Sequence, residues 1–222
     1  MTIRRESREA VIQDPQLPDR ARALIDFWFG PPGDPERERH REIWFKSSEE
    51  FDAALRREFH ADYEKGAAGK LGSWEASPEG ALALVLLLDQ VPRNIFRGSA
   101  RTYATDPAAR VVADRALARG FDQMVPPAWR LFFYMPFHHS ENLADQQRSV
   151  KLSETLPRNP DRRASLRRYG CPYIEVIERF GRFPHRNVIL GRQSTPDELA
   201  FLAERDQRLG RSSVPSQHPD RP

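Results

Sequence analysis

The chain has a single cysteine, Cys171, so no intrachain disulfide can form and nothing points to an oxidising compartment. No metal partner stands near Cys171 at zinc-site spacing, and the thiol is expected to pack as a small side chain. Long apolar runs are also missing. The longest, Ala81 to Leu88, falls far short of the roughly 20 residues of a membrane helix. The polar opening MTIRRESREAVIQDPQ lacks the apolar segment of a secretory signal. The expected address is therefore the cytoplasm, with no membrane partner. Charge of one sign is scarce as well: 35 basic and 32 acidic side chains leave a net charge of +3. They are interleaved rather than gathered into stripes, so no nucleic-acid partner is expected. No phosphate-binding loop, dinucleotide fingerprint or Gly-x-Ser-x-Gly elbow occurs, and no cofactor is implied. Period-two alternation is nearly absent. Asn187-Val188-Ile189-Leu190 is too short and isolated to build a sheet.

What is present is helix punctuation. A length of 222 residues, 39% of them hydrophobic, fits one domain with one core. Residues 1–17 are expected to form a flexible segment, 18–205 a single helical domain, and 206–222 a disordered tail. Asp19 is positioned to cap a helix that Gly30-Pro31-Pro32 ends. Ser47 and Glu50 have capping-box spacing, and Phe51, Leu55, Phe59 and Tyr63 follow at four-residue intervals. Ser77-Pro78 opens a helix that is apolar on every side from Leu82 to Leu88, as a central element would be, and that is expected to stop near Pro92. Asp106-Pro107 starts another helix, which Gly120 follows. Pro127 opens a stretch predicted to run to about Leu156 with a kink at Pro136. A further helix is expected from about Asp161 or Ala164 to Phe180, with Gly170 as a break. Thr195-Pro196-Asp197-Glu198 is the sharpest start of all. Trp28, Trp44, Trp74 and Trp129 lie among apolar neighbours and read as core. The fold class is all-α, with short Pro/Gly turns implying antiparallel helix hairpins.

Function is sought where polar residues interrupt apolar elements. At the end of the buried helix, Asp89 and Arg93 stand one turn apart and can pair. Beyond Pro136, a helical wheel puts His139, Leu143, Gln146 and Val150 on one inward face, and a buried imidazole needs partners. His138-x-x-Glu141 reverses the Glu-x-x-His order of di-iron bundles and has no second copy, so no metal is assigned. The segment Phe180 to Asn187 packs Arg182, His185 and Arg186 among aromatics and turn formers. It is either a rigid loop whose arginines pair with acidic helices, or a pocket rim with forks for a carboxylate or phosphate.

These motifs carry a resemblance. Leu87-Leu88-Asp89-Gln90-Val91-Pro92-Arg93-Asn94-Ile95-Phe96-Arg97-Gly98, Ala104-Thr105-Asp106-Pro107, His139-Ser140-Glu141 with Ala144-Asp145-Gln146, and Arg179-Phe180-Gly181-Arg182-Phe183-Pro184-His185-Arg186-Asn187 with Leu190-Gly191-Arg192 occur in that order. Together with Ser194-Thr195-Pro196, Glu198, Asp26-Phe27-Trp28-Phe29-Gly30 and Trp44-Phe45, they look like the bacterial and fungal Domain of Unknown Function 924 family. The resemblance spans roughly residues 20 to 205. It implies a tetratricopeptide-like helical fold, here antiparallel hairpins stacked in a right-handed array, and no established activity. The chain departs from the family pattern at His138, where an apolar residue is usual, and at Tyr173, where a histidine is frequent.

The first functional expectation is a binding module. Asp89, Arg93, His139, Glu141, Arg182, His185 and Arg186 would line a polar cleft for an anionic small molecule or peptide group. The alternatives are a hydrolase- or transferase-type enzyme with His139 and Glu141 as acid–base pair, and a structural interaction scaffold.

Overall fold

The structure, a computed structural model, describes residues 17–44, 48–156 and 173–208. Among these residues it is helical, with no strand. Cys171, Gly170, the expected helix start at 161 or 164, and residues 1–16 and 209–222 of the expected terminal segments lie outside the described residues, whereas Leu17 is buried and residues 206–208 belong to the last helix.

Helix α1 spans Asp19–Phe29. Pro18, not Asp19, is its N-cap residue; Asp19 sits inside the first turn, where its charge faces the positive end of the dipole. α2 spans Glu49–Ala67, and Ser48 Oγ accepts its capping bond from Phe51 N–H at 3.3 Å, one residue later than the Ser47 box expected. Its stripe Phe51, Leu55, Phe59 and Tyr63 is buried. α3 spans Pro78–Val85, with Ser77 Oγ capping Gly80 N–H. At Gly80 a Cβ would lie 2.2 Å from the Trp74 carbonyl oxygen, so only glycine lets this turn pack.

The buried helix does not stop at Pro92. A π-helical turn, Leu86–Gln90, widens it, and α4 continues as Val91–Ile95. Pro92 cannot donate to the Leu88 carbonyl one turn back. The Thr105 hydroxyl donates to that carbonyl instead. Val91 N–H reaches Leu86 O, five residues back, so its amide stays bonded across the widened turn.

α5 spans Asp106–Ala118, and Gly120 follows it at φ 69°, the left-handed conformation glycine adopts freely. α6 spans Pro127–His138 and α7 spans Leu143–Glu154, so the expected single helix is two. The break falls at residues 139–142, not at Pro136. Asn142 Oδ1 caps α7 by accepting from Ala144 N–H at 2.8 Å, and Gln146 Nε2 donates to the His138 and Ser140 carbonyls at 2.7 and 2.6 Å. The continuous helical wheel therefore fails: His139 and Gln146 are buried, but Leu143 and Val150 are exposed. Tyr173–Phe180 forms α8, and Pro196–Arg208 forms α9. α9 opens on a full capping box. Glu198 N–H donates to Thr195 Oγ1 at 3.2 Å, and Thr195 N–H donates to Glu198 Oε2 at 2.8 Å.

α3 is the hub. Leu82 to Leu88 are all buried, each aliphatic side chain there contributing about 1.5–3 kcal/mol by its burial. α1, α5 and α6 pack on α3, while α2 covers the π turn and α4. The aromatic part of the core is dense: Phe29 stacks on Trp129 at 4.2 Å between ring centroids, and Phe132 meets Trp28, Phe29 and Trp44 edge-on. All four tryptophans are buried. The chain then steps outward: α6 packs on α7, α7 on α8, and α9 on the turn Pro184–Arg186. A small separate apolar cluster, Val176, Ile177 and Phe183, anchors this last part.

Candidate functional site

The π turn and α4 project Asp89 and Arg93 to the side of the molecule where α5 begins and α6 ends. Asp89 is fully buried and shares its carboxylate among Gln90, Arg93 and His139. His139 Nδ1 lies 2.9 and 3.0 Å from the two Asp89 oxygens. Burial alone would raise the Asp89 carboxyl, but Arg93 and His139 outweigh it and hold it well below the carboxylate range. Asp89 therefore only accepts, and the proton of His139 sits on Nδ1. Burial and the Arg93 charge lower the His139 pKa against the pull of Asp89. This shift favours the neutral imidazole, in which Nε2 carries the lone pair.

Arg93 also forms a fork onto Asp106, at 2.8 and 2.9 Å. Asp106 faces a second cation, Arg186, at 3.5 Å. Arg186 Nη2–H donates to the His139 carbonyl at 2.9 Å, and the guanidinium lies between the Tyr103 and Phe183 rings, 4.3 and 4.6 Å from their centroids. Its Nε–H is buried without a partner. One polar network thus runs from His139 through Asp89, Arg93 and Asp106 to Arg186, joining four separate stretches of sequence.

Above it opens a cleft of about 450 Å³. Tyr103, Asp106, Arg110, His139, Glu141 and Arg186 line it, with Pro107 and Leu190 as apolar wall. Glu141 accepts a fork from Arg192 at 2.8 and 2.9 Å and the Phe183 N–H at 2.8 Å. Burial pushes its carboxyl up, yet these bonds win and lower it. Glu141 is therefore a tie between the α6–α7 break and the 183–192 loop, and the partner of His139 is Asp89.

The expected cluster is only partly one place. Asp89, Arg93, His139, Glu141 and Arg186 adjoin the cleft or form its floor. Arg182 does not line it: its guanidinium forks onto Glu198 at 2.7 and 2.8 Å, the pairing with an acidic helix that the rigid-loop alternative requires. Arg182 borders a second hollow, of about 390 Å³, beside α9. His185 turns toward the aromatic group of Tyr173 and Phe183. Burial, with Arg205 and Arg186 nearby, pushes its pKa down to about 3. His138 stacks on Tyr173 at 4.4 Å, so the two positions that depart from the family pattern touch each other. Sequence reading missed Asp106, Arg110 and Arg192 as members. Asp106 read only as a helix start, and its acid between two arginines of distant segments is visible only in three dimensions. Among the described residues no group of three or more His, Cys, Asp or Glu side chains could hold a metal ion, and no helix is long and apolar enough to cross a membrane.

Fold and site together define an all-helical protein with a charged network under a polar cleft. The chain belongs to the family described as bacterial protein of unknown function (DUF924), which matches residues 24–206. It is similar to the solved structure of a protein of unknown function, ATU0120 from Agrobacterium tumefaciens. The two are 42% identical with a TM-score of 0.70, over 83% of this chain and 97% of that one. No curated protein matches the chain.

Proposed function

We propose that the chain is a helical binding module whose cleft takes the carboxylate or phosphate of a small molecule or a peptide end. The observation that carries this reading is the length of the ion-pair contacts of two arginines in the cleft wall. Arg110 and Arg186 meet Asp145 and Asp106 at 3.4 and 3.5 Å, whereas Arg93 and Arg192 hold their acids in forks of 2.8–2.9 Å. A ligand anion between Arg110 and Arg186 would complete what Asp145 and Asp106 leave partly compensated. The neutral His139 beside them accepts a hydrogen bond at Nε2. Glu141, also in the cleft wall, already accepts the Arg192 fork.

Architecture supports the reading. Antiparallel hairpins stacked in a tetratricopeptide-like, right-handed array would leave a concave side, and the stepwise packing of α5, α6, α7 and α8 is consistent with it. A cytoplasmic setting is part of the same proposal.

Arg186 is buried between two rings, so its removal would disturb packing as well as charge. Arg110, on the outer face of α5, is the cleaner probe. Benzoate, inorganic phosphate and the tripeptide Gly-Gly-Gly are tested for their effect on the melting temperature of wild type and Arg110→Gln. A saturable rise with at least one of them, lost in Arg110→Gln, is expected. Equal shifts in both proteins, or none in either, would reject the anion site and leave the scaffold reading.

A further inference from the structure

We propose that the cleft also carries out chemistry: hydrolysis of carboxylic esters that bear an anionic group, with His139 as general base and Asp89 as the residue that positions it. This rests on the anion-binding reading for substrate recognition. The base assignment stands on separate geometry.

Three observations lead to it. First, both oxygens of a fully buried carboxylate face one nitrogen of the His139 ring, at 2.9 and 3.0 Å. That arrangement fixes the tautomer and the ring angle, and leaves the opposite nitrogen, Nε2, as the basic atom. Second, His139 is among the residues that line the cleft, while Asp89 is fully buried behind it. Third, Asp89 is itself immobilised, by Gln90 Nε2–H at 2.5 Å and Arg93 at 3.2 Å, on a π turn that the fold maintains with the Thr105 hydroxyl. π turns of this kind recur at functional sites.

The reaction balances without an added reagent. Nε2 removes a proton from water as the water oxygen bonds to the ester carbonyl carbon. The tetrahedral adduct collapses, the carbon–oxygen bond to the leaving group breaks, and the imidazolium returns its proton to the departing oxygen. Ester and water become acid and alcohol, histidine is regenerated, and nothing is oxidised or reduced. Arg110 and Arg186 hold the substrate's anionic group during both steps. Asp89 touches neither water nor ester; it acts only through His139.

The probe is 4-acetoxybenzoate, an anionic aryl ester, with neutral methyl 4-acetoxybenzoate as its partner arm. Release of the phenol by the wild-type protein at pH 7.5 should exceed that by an equal concentration of free imidazole by at least about 100-fold. The neutral ester should show at least about tenfold lower kcat/KM, an effect of the missing carboxylate. His139→Gln should fall to the imidazole level. Asp89→Asn should lower kcat at least about tenfold and leave KM unchanged, since it disturbs the base and not the binding of the ester. Wild-type rates no higher than imidazole would overturn the proposal. Should His139→Gln fail to fold, carbethoxylation of the wild type by diethyl pyrocarbonate replaces it. Modification of His139 with matching loss of hydrolysis supports the base, and hydrolysis unchanged after His139 is modified overturns it. The melting temperature in the presence of 4-hydroxybenzoate separates the two levels. A rise without turnover defeats the chemistry and spares the binding site; neither a rise nor turnover defeats both.

Discussion

The body of the molecule and its C-terminal end are held by different forces. α1 to α6 enclose a continuous apolar core with Trp28, Phe29, Phe132 and the leucines of α3 at its centre. Among the described residues from Tyr173 onward, the apolar cluster is small: Val176, Ile177 and Phe183. It is joined to the body by polar bonds: Arg186 to the His139 carbonyl and Asp106, Arg192 and the Phe183 amide to Glu141. Apolar burial is indifferent to pH, whereas a carboxylate bond disappears when the acid protonates. The cleft lies on the seam between these regimes, where charge is needed for adhesion and remains available for a ligand.

The largest expected effect falls in the body. Phe132→Ala empties a site bounded by three aromatic rings and should lose about 4 kcal/mol in denaturant unfolding. A loss below about 1 kcal/mol would mean the core is not where the stability resides. Next comes the seam. Asp106→Ala leaves Arg93 and Arg186 without their shared acid and should cost about 3 kcal/mol. Glu141→Gln, at a half-buried tie, should cost about 1 kcal/mol and speed hydrogen exchange at Arg192 while leaving α3 unchanged.

Acid should separate the two regions in a defined order. The folded His185 pKa lies near 3, below the ordinary 6.5, and that of Glu198 near 2, below 4.5, where the Arg182 fork and the Thr195 amide hold it. Both are depressed, so each contributes stability that is complete above the unfolded value and declines as pH falls toward the folded one. Loosening of the C-terminal end should therefore begin below pH 6.5 with His185 and steepen below 4.5 with Glu198. The readout is exchange of the Arg192 and Leu199 amides, corrected for intrinsic rate, against amides of α3. Parallel loss in both would contradict the division. The smallest effect belongs to Arg110→Gln, expected to stay within about 0.5 kcal/mol of wild type because its contact to Asp145 is long and half-exposed.

Much of the helical layout was legible because helix ends are written in local chemistry. Ser77-Pro78, Asp106-Pro107, Gly120 and Thr195 to Glu198 need no tertiary information, and each marks a real boundary. Errors arose where a distant residue decides. Pro92 passes through the helix because the π turn shifts the bonding and Thr105 takes the freed carbonyl. The break at 139–142 is itself marked locally, since Asn142 followed by Ala144 and Asp145 is an N-cap pattern. For the site, Asp89 with Arg93 and the burial of His139 were foreseeable from polar residues on apolar elements. The direct partner of His139 was not, since Asp89 lies 50 residues away and Glu141, two residues away, looked nearer. Asp106 and Arg192 escaped for the same reason: a charge at a helix start or in a loop has no visible partner in one dimension.

The sharpest test of the seam as a ligand site is NMR of the His139 ring during titration with 4-hydroxybenzoate. Its Nε2 and Cε1 resonances should shift saturably, together with the amides of Tyr103 and Ala104 on the facing wall and without change at His60 on α2. Resonances of His139 that stay fixed while the ligand reaches millimolar concentration would contradict the account and leave the charged network as adhesion alone.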